Sequence, residues 1–362
     1  MDQEKASLFR LHMSPGIGRT ALFKLKNSFG SFSAALRAPV DDLARRAHLS
    51  LLRAHSILSH DDITLTRGFD ALNKYAVNLI SFWDDNYPEA LRHIHDPPAL
   101  LYLRGQLPKG DCFAIVGSRR ATAGGVVLTR EISAELAQRG ICIVSGLARG
   151  IDTAAHTGAL SADGQTIAVL GCGIDRVYPS ENHRLFQRIL EHNAIISEFP
   201  PGVQPLAGHF PGRNRIISGL SRGVLIVEAA DSSGSLITGD FALEQGRELF
   251  AVPGAVKNST SYGTNRLIKT GAQMVTEAAD ILEVLWPEAQ TVSDQKVEEL
   301  FVNGLDSSAR NLYQKLNFEP QHGDELGRAC GLTPMEVSAI LLDLELRGGV
   351  LPLPGGRYIR SR

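Results

Sequence analysis

The sequence has few cysteines and lacks the cysteine and histidine spacings that build metal sites. Its four cysteines lie far apart and never form a CxxC pair. Three of them sit in or beside apolar, strand-like runs, where a reduced cysteine is a small buried hydrophobe. His156 and His209 are isolated histidines without ligand spacing. We therefore expect no metal and no disulfide, as is typical of a cytoplasmic protein. The cysteines are Cys112, Cys142, Cys172 and Cys330.

The sequence also shows no long apolar segment and no apolar signal core. No apolar run approaches the ~20 residues that span a bilayer. The sequence starts Met1-Asp2-Gln3-Glu4-Lys5, which has no apolar signal core. These absences predict a cytoplasmic protein with no membrane partner.

Nucleotide fingerprints and a global basic charge are absent too. No stretch matches GxGxxG or GxxxxGK(S/T), so we expect no dinucleotide, no NTPase activity and no cofactor. The formal net charge is −2, so any nucleic acid must bind a local patch. Residues 112–222 hold eleven arginines, no lysine and eight carboxylates, a net of +3. Arginine suits bidentate phosphate recognition, but it outnumbers lysine throughout the chain, so this count is weak evidence.

The central region has a regular rhythm of short apolar runs, spaced about 27 residues apart. Amphipathic, helix-like stretches lie between them, as at 126–138 and 236–246. Alternating strands and helices predict right-handed βαβ units and a mostly parallel sheet, with ligands beyond the carboxyl ends of the strands. The runs are Phe113–Gly117, Ile141–Gly146, Thr166–Gly171, Ala194–Glu198, Val224–Glu228 and Leu249–Pro253.

Smaller pieces flank the sheet, since a chain of 362 residues exceeds one ordinary core. Residues 1 to about 70 look helical, and 287–300 are polar and read as a linker. Helices at 324–330 and 334–347, then a hairpin at 350–360, make a winged-helix pattern. Thr333 and Glu336 predict a capping box. The would-be recognition helix is acidic, which argues against duplex DNA and favours a protein-contact or regulatory role.

Five loops rich in glycine, serine and arginine are predicted at one edge of the sheet. Any one of them could be an ordinary tight turn. Together they predict a broad, anion-seeking rim, because backbone amides, hydroxyls and guanidinium groups at helix starts bind phosphate. The loops are 117–120, 145–152, 171–175, 209–215 and 232–238.

Seven ordered motifs make the sequence resemble the DNA-processing protein A (DprA/Smf) family. The resemblance is dense from about residue 75 to 285 and looser in the flanking regions. The motifs are Gly117-Ser118-Arg119, the run 145–152, Tyr178-Pro179 with Asn182, Ser197-Glu198-Phe199, the run 209–217, the run 233–238 and Gly263-Thr264-Asn265 with Leu267-Ile268.

The resemblance implies an extended Rossmann-like domain that binds single-stranded DNA, forms a homodimer, and helps load RecA recombinase in natural transformation and homologous recombination. Single-strand-binding protein is a further candidate partner. An N-terminal SAM-like domain is expected over 1–72, where Pro15-Gly16-Ile17-Gly18 resembles a helix-hairpin-helix turn. The Rossmann-like domain is expected over 73–286, the linker over 287–300 and the winged helix over 301–362.

The DNA-binding residues implied by the resemblance centre on Arg119, a phosphate contact, and Phe210, which we expect to stack on a base. Structural alternatives remain: a cap at a strand end for Arg119, a core aromatic for Phe210, and buried ion pairs with Glu198 or Glu228 for Arg213 and Arg215. The full predicted set is Gly117, Ser118, Arg119, Arg149, Arg184, Phe210, Arg213, Asn214, Arg215, Ser233 and Gly234. For the dimer interface the prediction is Leu243, Asn265, Ile268 and Lys269, with ordinary packing as the alternative for Leu243 and Ile268.

One position departs from the pattern of many relatives. Many relatives have a lysine where this sequence has Ala207, so a neighbouring arginine must supply that charge, or DNA affinity is lower.

Asp152, Asp175, Glu198 and Glu228 are expected to cap helices or orient arginines, so no catalytic residue is predicted. The alternative function is a Rossmann-like phosphoribohydrolase acting on nucleoside monophosphates, but its PGGxGTxxE signature is absent. A ligand-sensing winged-helix transcription factor is disfavoured by the acidic helix.

Overall fold

The computed structural model of the chain describes residues 2–59, 62–288 and 301–361. It divides into two compact units, Met1–Ile281 and Leu282–Arg362. No helix of the described residues is long and apolar enough to cross a membrane.

The first unit is built on a sheet that has nine strands within the described residues, in the order β1-β2-β6-β5-β4-β3-β7-β8-β9. Strands β3 to β9 are parallel, whereas β2 pairs antiparallel with both β1 and β6. The strands are β1 Asn78–Ser81, β2 Leu100–Gly105, β3 Cys112–Val116, β4 Cys142–Ser145, β5 Thr166–Leu170, β6 Ala194–Ser197, β7 Gly223–Ile226, β8 Glu248–Ala251 and β9 Gln273–Met274. Each of the six predicted runs overlaps a strand, and the Rossmann-like fold class is confirmed.

Helices connect the strands on both faces of this sheet. The predicted stretches at 126–138 and 236–246 fall on α8 and α12 and are confirmed. The helices are α1 Gln3–Met13, α2 Arg19–Phe29, α3 Phe32–Arg37, α4 Val40–Arg46, α5 Leu51–Leu58, α6 Asp62–Lys74, α7 Glu89–Arg92, α8 Ala123–Gln138, α9 Ile151–Ser161, α10 His183–His192, α11 His209–Gly219, α12 Gly234–Glu244, α13 Tyr262–Lys269 and α14 Ala278–Leu285.

One prediction about this region is wrong: residues 209–215 are not a loop but the first turns of α11. Pro211 and Gly212 suggested a turn. Pro211 lies in the first helical turn, where its missing N–H has no intrahelical acceptor to lose. Residues on α11 therefore point in different directions, which decides their roles in the site.

The core of the first unit lies on both faces of the sheet, and the N-terminal helices share one of them. Phe9 and Leu22 belong to the same apolar cluster as Tyr102 of β2 and Ile195 of β6. The Phe9 and Tyr102 rings lie 6.2 Å apart, and His12 Nδ1 is 2.8 Å from the Tyr102 hydroxyl. The helical region is thus seated on the sheet through β2, and the expected division at residue 72 stays a prediction.

The second unit contains the helix–helix–hairpin arrangement predicted for its sequence. The elements are α15 Ser307–Lys315, β10 Gln321–His322, α16 Gly323–Cys330, α17 Pro334–Leu346, β11 Val350–Leu353 and β12 Arg357–Arg360. The capping box is confirmed, since Thr333 Oγ1 accepts from the Glu336 N–H while the Glu336 carboxylate accepts from the Thr333 N–H at 2.8 Å. Most of the predicted linker, residues 289–300, lies outside the described residues.

Candidate nucleic-acid interface

A cleft of about 610 Å³ opens beyond the carboxyl ends of the parallel strands. The strand order reverses between β3 and β7, because the chain winds from β3 out to β6 and then returns beside β3. Ligands of doubly wound sheets bind at such a switch point. The cleft is lined there by the loops after β3, β4 and β7 and by the starts of α11 and α12.

The loop after β3 forms one wall, and a buried carboxylate fixes its far end. Ser118 Oγ accepts a hydrogen bond from the Arg120 N–H at 3.0 Å. Thr122 caps α8, and its own N–H and hydroxyl both donate to Glu228 at the end of β7. Glu228 thus holds the cap residue of α8 and does not cap the helix itself. Arg119 and Arg120 are held between these two anchors, with both side chains on the cleft lining.

The loop after β4 packs directly against that wall. Gly150 has φ of 73°, and a Cβ there would lie 2.2 Å from the Ser118 carbonyl oxygen. Asp152 at the start of α9 accepts from the Gly146 and Ala148 N–H groups at 3.1 and 3.3 Å. Burial raises the pKa of Asp152, while Arg213 and these two amides act to lower it.

Arg213 supplies a positive charge at the floor of the cleft. Its side chain is only 4% exposed, and Nη1 donates to the Val169 carbonyl oxygen at 2.6 Å. The absence of a side chain at Gly146 makes room for it, since a Cβ there would lie 1.8 Å from Nη1. Burial lowers the pKa of Arg213 to about 10, so the guanidinium stays charged at neutral pH. Its Nε has no hydrogen-bond partner among the described residues.

Phe210 is half-buried and lines the cleft. A Cβ at Gly171 would lie 2.8 Å from its ring, so the ring rests on that glycine. The guanidinium carbons of Arg119 and Arg213 lie 5.3 and 5.8 Å from the ring centroid. The Tyr178 ring is 5.5 Å away and 42% exposed, so it is the more accessible aromatic surface. Both rings line the cleft.

The opposite wall is the start of α12. Ser233 caps this helix, and its Oγ accepts from the Ser235 N–H at 3.4 Å. Asn214 Nδ2 donates to the Gly234 carbonyl oxygen at 3.2 Å, which ties α11 to this wall. The amide end of α12 thus faces the cleft, an arrangement that favours phosphate.

The structure brings most of the predicted DNA-binding residues together, but not all. Arg149 lies beside the cleft against Tyr178 and pairs with Glu181. Arg184 is exposed on α10 and does not line the cleft. Arg215 is 3% exposed, and its Nη2 lies 2.7 Å from Glu198 Oε1, as in the structural alternative. The predicted residues that line the cleft are Gly117, Ser118, Arg119, Phe210, Arg213, Asn214, Ser233 and Gly234.

Among the lining residues that the predicted DNA-binding set leaves out are Arg120, Tyr178 and Ser235. Arg120 and Ser235 each adjoin a predicted residue, so the signal was available. Tyr178 was recognised only as part of a motif, because nothing local shows that it lies beside Phe210.

The four residues predicted for a dimer interface lie outside the cleft lining. Leu243 is 60% exposed on α12, and Lys269 is exposed at the end of α13. Ile268 is half-buried, which fits the packing alternative. Asn265 has a structural role, since its amide accepts from the Gly254 N–H at 3.1 Å and donates to the Gly254 carbonyl at 2.9 Å.

The remaining carboxylates also make structural contacts. Asp175 accepts from the Gly202 N–H at 2.8 Å, and Glu198 orients Arg215 as predicted. Within the described residues no group of three or more metal-ligating side chains comes together.

The fold and the cleft define a class: a doubly wound α/β protein with an arginine-rich, anion-binding site at its switch point. Comparison with known proteins narrows this class. Residues 78–286 match the model of the DNA recombination-mediator protein A family, and residues 302–356 match the DprA winged helix domain. The chain belongs to the DNA recombination-mediator protein A family.

Individual relatives agree with this assignment. Protein Smf of Escherichia coli is 41% identical over 320 residues, covering 87% of this chain and 85% of that protein. DNA processing protein DprA of Streptococcus pneumoniae is 44% identical over 224 residues, 61% of this chain and 77% of that protein. The X-ray structure of the S. pneumoniae protein matches with a TM-score of 0.69 at 36% identity, over 78% of this chain and 99% of that chain. DNA processing protein A from Helicobacter pylori, solved to study its single-stranded DNA binding mode, matches with a TM-score of 0.53 at 32% identity, over 59% and 97%.

Proposed function

We propose that this protein binds single-stranded DNA in the cleft at the β3/β7 switch point and acts as a recombination mediator, without catalysis of its own. The observation that carries the proposal is the charge and chemistry of the cleft lining. Arg119, Arg120 and Arg213 face the cleft, whereas its one lining carboxylate, Asp152, is buried against Arg213 and two backbone amides. Such a lining attracts a polyanion and offers no free acid or base pair for hydrolysis.

The walls suit a single strand more than a duplex. Phosphates bind along the loop after β3 and at the amide end of α12, where Arg119 and Ser233 add a guanidinium and a hydroxyl. Tyr178 offers an exposed ring for one base, and stacking on an aromatic face tolerates any base. Unpaired bases are needed for such stacking, so a duplex forfeits this part of the affinity. The H. pylori relative's reported single-stranded DNA binding supports the same conclusion.

The proposal extends to partners that the family resemblance implies. We place the protein in the cytoplasm as a homodimer that delivers its DNA to RecA recombinase, with single-strand-binding protein as a further partner. Leu243→Glu tests the dimer by analytical ultracentrifugation, since its side chain is exposed on α12. A shift to monomer supports this interface, and an unchanged sedimentation coefficient contradicts it.

The central test is fluorescence anisotropy of a labelled oligo-dT and a matched duplex, at two salt concentrations. We compare wild type, Arg119→Glu, and Arg188→Glu as a control, since Arg188 is exposed on α10 outside the cleft. We expect tight binding to the single strand, weaker binding to the duplex, and loss of binding only in Arg119→Glu. Losing one phosphate contact also lowers the salt slope by about one.

If wild type ignores the single strand, the proposal is wrong at its centre. Incubation with nucleoside monophosphates then shows whether a base is released, as the phosphoribohydrolase alternative requires. If binding holds, RecA filament formation on protein-coated DNA is the next assay.

A further inference from the structure

Residues 82–96, here called the bridging segment, lie between the N-terminal helices and the cleft helix α11. On the N-terminal side, the Phe23 ring centroid is 5.0 Å from the centroids of both Phe82 and Trp83. Lys5 Nζ lies 2.8 Å from Asp84 Oδ2. The segment is therefore fixed to α1 and α2 by apolar and ionic contacts.

On its other side the bridging segment packs directly on α11. A Cβ added to Gly219, at the end of α11, would lie 2.8 Å from Leu91 Cδ2 and 3.0 Å from Ile94 Cγ2. Arg247 Nη2 donates to the carbonyls of both Ala90 and Gly219, at 3.0 and 3.1 Å. At such close approach a shift of the segment must move α11.

Asp96 joins the two sides through one carboxylate. Arg19, at the start of α2, donates to both Asp96 oxygens through Nε and Nη2. Arg215 Nε of α11 lies 3.6 Å from Asp96 Oδ2, and Arg215 Nη2 binds Glu198. An ion chain thus runs from the N-terminal helices to a buried arginine of α11. The same helix carries Phe210, Arg213 and Asn214 on its cleft side.

We propose that the N-terminal helical region sets the position of α11, and with it the affinity of the cleft for single-stranded DNA, through the chain Arg19–Asp96–Arg215. Arg19 and Asp96 are positioning residues: they line no part of the cleft. This inference rests on the proposed function. Because coupling is reciprocal, a partner that draws Arg19 away from Asp96 weakens DNA binding, and bound DNA resists that partner.

The test compares Arg19→Ala, Arg19→Lys and Asp96→Asn with Arg45→Ala. Arg45 is the matched control, because it pairs with Asp42 within α4, at 2.8 Å, and has no part in the Asp96 chain. Half-exposed ion pairs contribute modestly, so we expect oligo-dT affinity to fall about three-fold in Arg19→Ala and less in Arg19→Lys. The double variant Arg19→Ala/Asp96→Asn should bind no worse than Asp96→Asn alone, since the two act in one chain.

A second readout separates positioning from simple loss of fold. Amide hydrogen exchange at 216–219 of α11 should quicken in Arg19→Ala but not in Arg45→Ala, with thermal midpoints near wild type. Arg19→Ala affinity within the error of wild type, or an equal loss in Arg45→Ala, overturns the inference while wild-type binding upholds the proposed function. If wild type binds no single strand, the proposed function fails instead, and the exchange of α11 still decides the coupling.

Discussion

Two adjacent glycines of α8 allow a sharp test of how the phosphate-binding wall is held. A Cβ at Gly125 would lie 2.5 Å from Glu228 Oε1 and 2.8 Å from its Cδ. A Cβ at Gly124 meets nothing nearer than Thr122 Oγ1 at 4.0 Å. Alanine at 125 must therefore push Glu228 away from Thr122, whereas alanine at 124 leaves that contact intact.

The expected magnitudes follow from the contacts that each change removes. A hydrogen bond to a charged group contributes about 1.5–3 kcal/mol, and Gly125→Ala strains two of them, from the Thr122 N–H and hydroxyl. Helix propensity returns about 0.5–1 kcal/mol for any glycine-to-alanine change. We expect Gly125→Ala to lower the free energy of unfolding by about 1–2 kcal/mol and Gly124→Ala to raise it by about 0.5 kcal/mol.

Urea unfolding followed by circular dichroism measures both variants, and oligo-dT anisotropy measures their binding. Because Thr122 ends the loop that carries Arg119, Gly125→Ala should also bind DNA more weakly than Gly124→Ala. Equal stabilities for the two variants would refute the argument that Glu228 is clamped against α8. Unequal stabilities with equal affinities would show that this clamp does not position Arg119.

Three further predictions concern the site, the core and the second unit. Burial raises the pKa of Asp152 and the Arg213 cation counteracts that rise, so in Arg213→Met the folded state tolerates the ionised carboxylate less well. The variant should therefore lose more stability at pH 7 than at pH 4, as measured by urea unfolding at both pH values. Burial lowers the pKa of His156 from 6.5 to about 3, so between these pH values only the unfolded chain takes up this proton. The free energy of unfolding therefore falls by about 1.4 kcal/mol for each unit by which the pH is lowered in this range. His156→Gln should remove that part of the pH dependence, and an unchanged acid unfolding profile would contradict the assignment. Deleting residues 300–362 should leave oligo-dT affinity within about two-fold, because the acidic second helix adds no phosphate contact; a large loss would give the second unit a DNA role.

The parallel core was predictable because each central strand is buried on both faces and reads as a short apolar run. Ile143 and Val144 of β4, for example, are both fully buried, so no alternation was needed to find the strand. The switch-point loops followed, since their glycines and hydroxyls end those runs. Local chemistry also gave the Thr333 capping box, which is complete within four residues.

Side-chain direction and long-range pairing were beyond the sequence pattern. Arg213 and Arg215 stand two residues apart in one motif, but on α11 they point to opposite sides: one to the cleft floor, the other to Glu198. The sequence pattern predicted neither β1 nor β2, because β2 joins the sheet through β6, which lies far along the chain. The seating of the N-terminal helices on Tyr102 leaves no local signal either.

The place of β2 in the sheet also bears on how the chain is made. Tyr102 of β2 pairs with Ser197 of β6, 95 positions later, and β6 is what joins β2 to the parallel strands. At about 5–20 residues per second, a ribosome needs roughly 5–20 s to supply the intervening segment. Until then the antiparallel β1–β2 pair and the helices that rest on it have no sheet to join. The first helices to be synthesised therefore reach their final place only after β6 has followed, although they leave the ribosome long before it.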